Sequence, residues 1–369
     1  MNAGRGSPLP RLGRIRTEAA GTDALGTTRF GTEASRVDGS RIDGSRIDGS
    51  GFDIRTDVSV IALTSDDAEI VGTDCYGGMF RWERLTGLQL AGPFALHAKR
   101  TIWGTVLTPD DLEVVTGGAD GTLGRWDRPT GAAIAERFAA HAAPVLGLAR
   151  THGGHELVTA SRDGTVRRWE RTTWSPLGEP LRGHFGAVRA VALTPDDVLI
   201  VTAGQDGTVR RWNRTAGTPV GEPLRGHDGP VQSLAIGPDG REFASGGLDG
   251  TVRRWDRGAD RPVGAPLLAG APVRCVLLTG DGEITAACSN GTLHRWDRTG
   301  QRIGAAVPAH ANPIWAMTTT RDGSELLSGG WDRRILRWER ITGVPLRPAR
   351  TPTRIEAVPR LEIQGTTPF

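Results

Sequence analysis

The sequence predicts an all-β fold, a seven-bladed β-propeller of four-stranded antiparallel blades with a disordered N-terminal arm, and three observations carry that prediction. Seven tryptophans, Trp82, Trp126, Trp169, Trp212, Trp255, Trp296 and Trp338, each follow an arginine and are separated by 44, 43, 43, 43, 41 and 42 residues. A near-constant period of this length marks a unit that repeats in space. The stretch from Gly183 to His227, GHFGAVRAVALTPDDVLIVTAGQDGTVRRWNRTAGTPVGEPLRGH, holds four apolar runs separated by the turn signals TPDD, QDG and RTAG. The third observation is compositional: 52 glycines and 23 prolines in 369 residues favour many turns over long helices.

Each element follows from these runs. VRAVAL, VLIVTA, TVRRW and PVGEPL are short enough to be strands, and tight turns between them make one antiparallel sheet. Both faces of such a sheet carry apolar residues, so neighbouring sheets must cover it, and a closed ring of seven satisfies all of them. The predicted organisation is a low-complexity arm over 1–55, the propeller over 56–350 and a tail over 351–369. The arm falls into eight pentads from Arg16 to Arg55, with an acid at the third place in seven of them. It lacks the Ala-Asp/Asn-Leu pattern of a pentapeptide-repeat helix, and its composition reads as disorder. The segment from Gly343 to Ala349, GVPLRPA, is the favoured outer strand of the last blade. SRIDGSGF, just before the first blade, is the alternative donor.

Charge and composition exclude several functions. The formal net charge is +3, and Lys99 is the single lysine, which removes phosphate-cradling GxxxxGK[ST] loops and lysine-based kinase or Schiff-base chemistry. The arginine bias fits a GC-rich, bacterial genome. No secretion signal and no run of about 18 apolar residues is seen, so a soluble, cytoplasmic, monomeric protein without a membrane span is expected. Cys75, Cys275 and Cys288 have neither CxxC nor Cys/His spacing, so no metal, cofactor or disulfide framework is expected, and the thiols read as reduced packing.

From about Asp57 to Arg350 the chain resembles the WD-repeat β-propeller family, on the Gly-His dipeptides, the Asp-Gly turns and the Trp-acid endings of the repeats. The resemblance implies a buried network of His, Ser or Thr, Asp and Trp in each blade. It carries over as His97, Thr116, Asp120 and Trp126 in blade 2, and His141, Thr159, Asp163 and Trp169 in blade 3. Blade 4 has His184, Thr202, Asp206 and Trp212; blade 5 has His227, Ser245, Asp249 and Trp255; blade 7 has His310, Ser328, Asp332 and Trp338. His97 is one residue off register. Blade 1 has Gly72 and Tyr76 at two of these places and no histidine, while blade 6 has Ala269, Ala286 and Asn290. A histidine, hydroxyl and aspartate invite a hydrolase reading, but a set recurring five times on packed strands reads as structure, and no catalytic residue is assigned.

Two surfaces remain. The motif Arg-Trp-acid-Arg recurs in every repeat, with Asn213 the one departure from the acid. Alternation along the third strand puts the first arginine on the same face as the acid after tryptophan, about 20 Å from the Asp-Gly turn. The expectation is a solvated belt of seven Arg-carboxylate pairs on the rim opposite those turns. The local excess of +8 in the motifs makes polyanion or nucleic-acid binding there an alternative function.

On the face of the Asp-Gly turns, the second residue of each first strand and the residue before each turn Asp place Trp103, Trp315 and Trp331 together, with Arg162, Arg189 and Arg274 around the ring. These types dominate interface hot spots. They predict a groove for a protein or peptide partner with aromatic or aliphatic anchors and acidic flanks, and hence a non-catalytic interaction scaffold or adaptor. The competing reading is that Trp103 and Trp315 only fill the channel mouth.

Overall fold

The computed structural model describes residues 51–54, 56–97 and 100–347, so the predicted tail and all but the last few residues of the arm lie outside the described residues. Seven antiparallel sheets are present. Blade 1 is built from Val58–Leu63, Glu69–Asp74, Gly78–Glu83 and Gln89–Ala95, in that spatial order; the other six share its three inner strands, with the outer strand reduced in blade 4 and made of two segments in blade 7. First strands pack against one another round the ring, and that of blade 7, Ile314–Thr319, closes on Val58–Leu63 of blade 1. They therefore line a central channel.

Burial explains the order of strands. The second strand of blade 4, Leu199–Gly204, is buried along its whole length, whereas the outer strand of blade 2, Ala133–Ala139, is almost wholly exposed. Blade 4 reduces its outer strand to two isolated bridges, Val209 to Leu224 and Trp212 to Pro219. Its Pro219 and Pro223 have no N–H to give a ladder, which restricts such a segment to an edge.

The core is divided among the seams between blades. One buried cluster joins Val158, Ala160, Val166 and Leu181 of blade 3 to Val188, Ile200 and Trp212 of blade 4. Each of the other six seams has its own equivalent. A blade removed from the ring would expose both of its apolar faces, which is why the fold closes.

Closure uses both predicted donors. Gly51–Asp53 pairs with the third strand of blade 7, Arg334–Glu339, through Gly51 to Leu336, Phe52 to Ile335 and Asp53 to Arg334. Pro345–Leu346 takes the rest of that edge, through Leu346 to Arg337 and Pro345 to Trp338. The expectation of a C-terminal donor is therefore half right. Phe52 occupies the place that Phe94 and Phe138 hold opposite Met79 and Leu123 in blades 1 and 2. It packs on Gly87, where a Cβ would come within 2.4 Å of the ring.

Candidate functional site: the channel mouth and the arginine belt

The four-residue sets are joined by hydrogen bonds. In blade 3, Nε2 of His141 lies 2.7 Å from Oγ1 of Thr159, which also accepts Nε1–H of Trp169 at 3.0 Å, and Nδ1 of His141 lies 2.9 Å from Asp163. His184, His227 and His310 repeat these contacts with Thr202, Ser245 and Ser328, and with Asp206, Asp249 and Asp332. Trp212, Trp255 and Trp338 donate to the same hydroxyls. Close packing demands a small residue beside them: a Cβ on Gly204 would sit 2.2 Å from Nδ1 of His184.

The off-register His97 still reaches Thr116 at 2.8 Å, and Trp126 donates to Thr116 at 2.7 Å. Its Nδ1 is 3.7 Å from Asp120, and Arg137 enters beside them, 2.9 Å from Asp120 and 3.3 Å from His97. Burial pulls His97 down to about 4, against the attraction of Asp120, and lowers His141 and His227 in the same way. These neutral imidazoles have no route to a substrate, their side chains being fully buried.

Four of the six residues expected at the channel mouth, Trp103, Arg189, Arg274 and Trp315, are the extra residues of β-bulges, and such a bulge occurs in all seven blades. In every blade the ladder between first and second strands skips the second residue of the first strand. Those residues are Ser59, Trp103, Leu146, Arg189, Gln232, Arg274 and Trp315. A bulge leaves its extra residue outside the ladder and re-aims its side chain. The residue before each turn Asp joins them, because its N–H bonds back to the chain entering the first strand, as Arg162 does to Pro144 and Trp331 to Pro313.

The result is a stack. Trp315 and Trp331 are parallel to within 21° with centroids 4.9 Å apart, and Trp103 reaches Trp315 at 5.8 Å across the small Ser59 of the blade between them. The Arg274 guanidinium lies 4.6 Å from the Trp315 ring, on which it gains a cation–π contact. Arg189 donates to Gln232 at 3.1 Å. Burial lowers the Arg189 guanidinium below its ordinary range, helped by the charges of Arg274 and Arg162, and burial alone lowers Arg274. Among the described residues no carboxylate pairs with these three arginines. Trp331 keeps 38% of its surface exposed. No group of three or more His, Cys, Asp or Glu among the described residues is arranged to hold a metal, and all three cysteines are free.

Four stretches, 134–170, 174–213, 217–256 and 302–339, match the family described as WD domain, G-beta repeat. Each ends one residue past the tryptophan of blade 3, 4, 5 or 7, the blades whose four-residue sets are complete and in register. The chain belongs to the WD-repeat family. No curated protein matches it. The two blades that depart from the WD-repeat set have substitutes. In blade 1, Asp74 stands where His-bearing blades 2, 4, 5 and 7 keep a glycine, and accepts from Thr56 at 2.6 Å and from the Gly78 N–H at 2.7 Å. In blade 6, His294 stacks on Trp296 at 5.9 Å and meets the Thr292 hydroxyl at 2.9 Å.

The belt of this WD-repeat ring differs from the expected one in its acid. In five blades the arginine before tryptophan pairs with a glutamate at or just before the start of the second strand: Arg81 with Glu69, Arg125 with Glu113, Arg254 with Glu242, Arg295 with Glu283 and Arg337 with Glu325, at 2.6–3.0 Å. The acid after tryptophan instead caps its own turn, as Asp127 does for Thr130 at 2.5 Å and Glu170 for Thr173 at 2.7 Å. The Thr173 hydroxyl and neighbouring backbone N–H groups hold Glu170 down to about 2.

The belt is also a set of clasps between blades. Each first arginine touches the next blade: Arg81 donates to Pro129 O at 3.1 Å, Arg211 to Arg257 O at 2.7 Å and Arg337 to Leu85 O at 3.1 Å, while Arg125 lies 5.1 Å over Trp174. The second arginine reaches back to the preceding blade's acid, as Arg84 does to Glu325, Arg128 to Glu69, Arg214 to Glu156 and Arg340 to Glu283. An arginine precedes tryptophan because the stem packs in the seam and the guanidinium bridges it.

Proposed function

We propose that this WD-repeat chain is a non-catalytic protein-interaction scaffold, and that its partner docks a peptide segment on the channel mouth. The observation that carries this reading is the continuous stack of Arg274, Trp315 and Trp331, flanked by Trp103, with Arg162 and Arg189 unopposed by acid. An aromatic or aliphatic side chain of the partner packs on Trp331 and Trp103, and its acidic flanks meet Arg162 and Arg189. Fully desolvated aromatic and arginine anchors of this kind carry most of the energy of an interface.

The polyanion alternative loses its supply of free charge. Most belt arginines are held by second-strand acids or by backbone carbonyls of the next blade, which the count of +8 left out. The test is affinity. Partners captured by the chain are identified, purified and titrated against the wild type and the double variant Trp331→Ala, Arg189→Ala. The expected result is a loss of at least about tenfold for each anchor removed. Unchanged affinity in a folded double variant would remove the mouth as the site.

A further inference from the structure

Blade 6 is shorter than its neighbours on the belt face. Between Thr279 and Glu283 lie Gly280, Asp281 and Gly282, where blade 2 has Pro109, Asp110, Asp111 and Leu112 between Thr108 and Glu113. After Arg298 come Thr299 and Gly300, where blade 2 has Pro129, Thr130 and Gly131. Both turns still close, through Thr279 N–H to Glu283 O at 3.0 Å and Gly300 N–H to Asp297 O at 2.9 Å. A cleft of about 550 Å³ opens at the seam with blade 5, walled by the acids Asp239, Glu242, Asp256 and Asp281 and by Arg241, Arg254 and Arg298, a balance of four acids to three arginines.

At the six other seams this place is filled by the second arginine of the following blade, seated on an acid of the preceding one. Arg298 is the member that does not reach: among the described residues its side chain meets no carboxylate. Glu242 therefore holds Arg254 alone, at 2.6 Å, and its side chain is 36% exposed, against 9% for Glu283 and 21% for Glu69.

We propose that the cleft between blades 5 and 6 receives an arginine side chain from a partner protein. The chain itself seats a second arginine on an acid at this position six times, and in four of them, Arg84, Arg128, Arg214 and Arg340, the Nε also reaches a turn carbonyl. A guanidinium offers a planar fork to a carboxylate while its Nε reaches a turn carbonyl, as Arg128 does to Asp111 O at 2.6 Å and Arg340 to Gly323 O at 2.6 Å. Gly282 is the matching carbonyl in blade 6, and Asp239 and Asp256 add negative charge at the rim. Lysine, a point charge without the fork, fits less well.

The test is an amide NMR titration of the full chain with acetyl-Gly-Gly-Arg-Gly-Gly-amide and with the same peptide carrying citrulline, which keeps the shape and removes the charge. The proposal expects saturable shifts at Gly280 and Gly282, about tenfold weaker or more for citrulline, as for loss of a charged hydrogen bond. Glu242→Gln should weaken the arginine peptide by a similar factor. A second variant guards against a folding defect: inserting one proline after Thr279 and one after Arg298 restores the blade 2 turn lengths, lets Arg298 close the seam, and should abolish the shifts while raising the melting temperature. Equal binding of both peptides, shifts indifferent to Glu242→Gln, or Arg298 already seated on Glu242 in solution would overturn the proposal.

Discussion

Arg84 of blade 1 donates to Glu325 of blade 7 at 2.6 Å, across 241 positions of chain, and Arg337 beside it holds the same carboxylate at 2.8 Å. One acid thus fastens the last blade to the first.

Removing that acid should open the ring at its closure. Glu325→Gln strands two well-covered guanidiniums and should cost about 1–3 kcal/mol in urea unfolding, the range for a charged hydrogen-bonded group losing its partner. Glu339→Gln, which alters only a turn cap, should cost less. The pairs also predict acid sensitivity. Burial opposes ionisation of Glu325, but Arg337 and Arg84 hold it below the ordinary value. A depressed carboxylate gives its stabilisation fully above the unfolded value of about 4.3 and loses it as pH falls through the lower folded value. The wild type should lose this component below about pH 4, and Glu325→Gln should not.

The buried histidines work in a higher window. Folded His97 titrates near 4, below its unfolded 6.5, so the unfolded chain takes up protons first as the medium is acidified. Its penalty is absent above about pH 6.5, grows as pH falls, and levels off below the folded value at about 3 kcal/mol. Denaturant melts at pH 7.5 and 5 should show the loss, and His97→Gln should flatten the slope. An unchanged slope would mean that His97 is already charged in the fold.

The two classes of tryptophan should separate cleanly. Trp212, buried in the seam between blades 3 and 4, should lose about 3–5 kcal/mol on Trp212→Ala. Trp331→Ala, at an exposed ring, should leave the melting temperature within a few degrees and act on partner affinity. A large destabilisation by the latter would favour a plug at the channel mouth over a binding surface.

Phe52 should matter as a core residue of blade 7, since it lies in the seam with Ile335 and Phe80. Phe52→Ala should cost about 3–5 kcal/mol, and a chain starting at Thr56 should lose the same closure. Hydrogen exchange at Ile335, whose strand pairs with Phe52, reports the effect directly.

Much of this was legible in the sequence. The tryptophan period gave seven blades, and alignment brought Trp103, Trp315 and Trp331 together, while Arg274 was set only somewhere around the ring and its seat on Trp315 needed coordinates. Other features needed coordinates. Face alternation paired each arginine with the acid two places on in its own strand, whereas the true partner, such as Glu69 for Arg81, comes from the neighbouring strand, which one-strand periodicity cannot show. The bulges that aim Arg189 and Trp315 are register shifts invisible in a single strand. Two signals were present but unread: the phenylalanines of GPFAL and ERFAA foreshadow Phe52 in an outer strand, and the shortened spacings of 41 and 42 residues mark the shortened turns of blade 6.

The outer edge of blade 7 has a further implication. Pro345, Leu346, Gly51, Phe52 and Asp53 face Trp338, Arg337, Leu336, Ile335 and Arg334 in unbroken succession, so this strand is continuous in space and nicked in connectivity. A peptide bond from Leu346 to Gly51 would heal the nick, and new ends opened at any exposed outer turn would yield a circular permutant with the same seven seams. Where the polypeptide starts is therefore a matter of genetic order, separable from the architecture it builds.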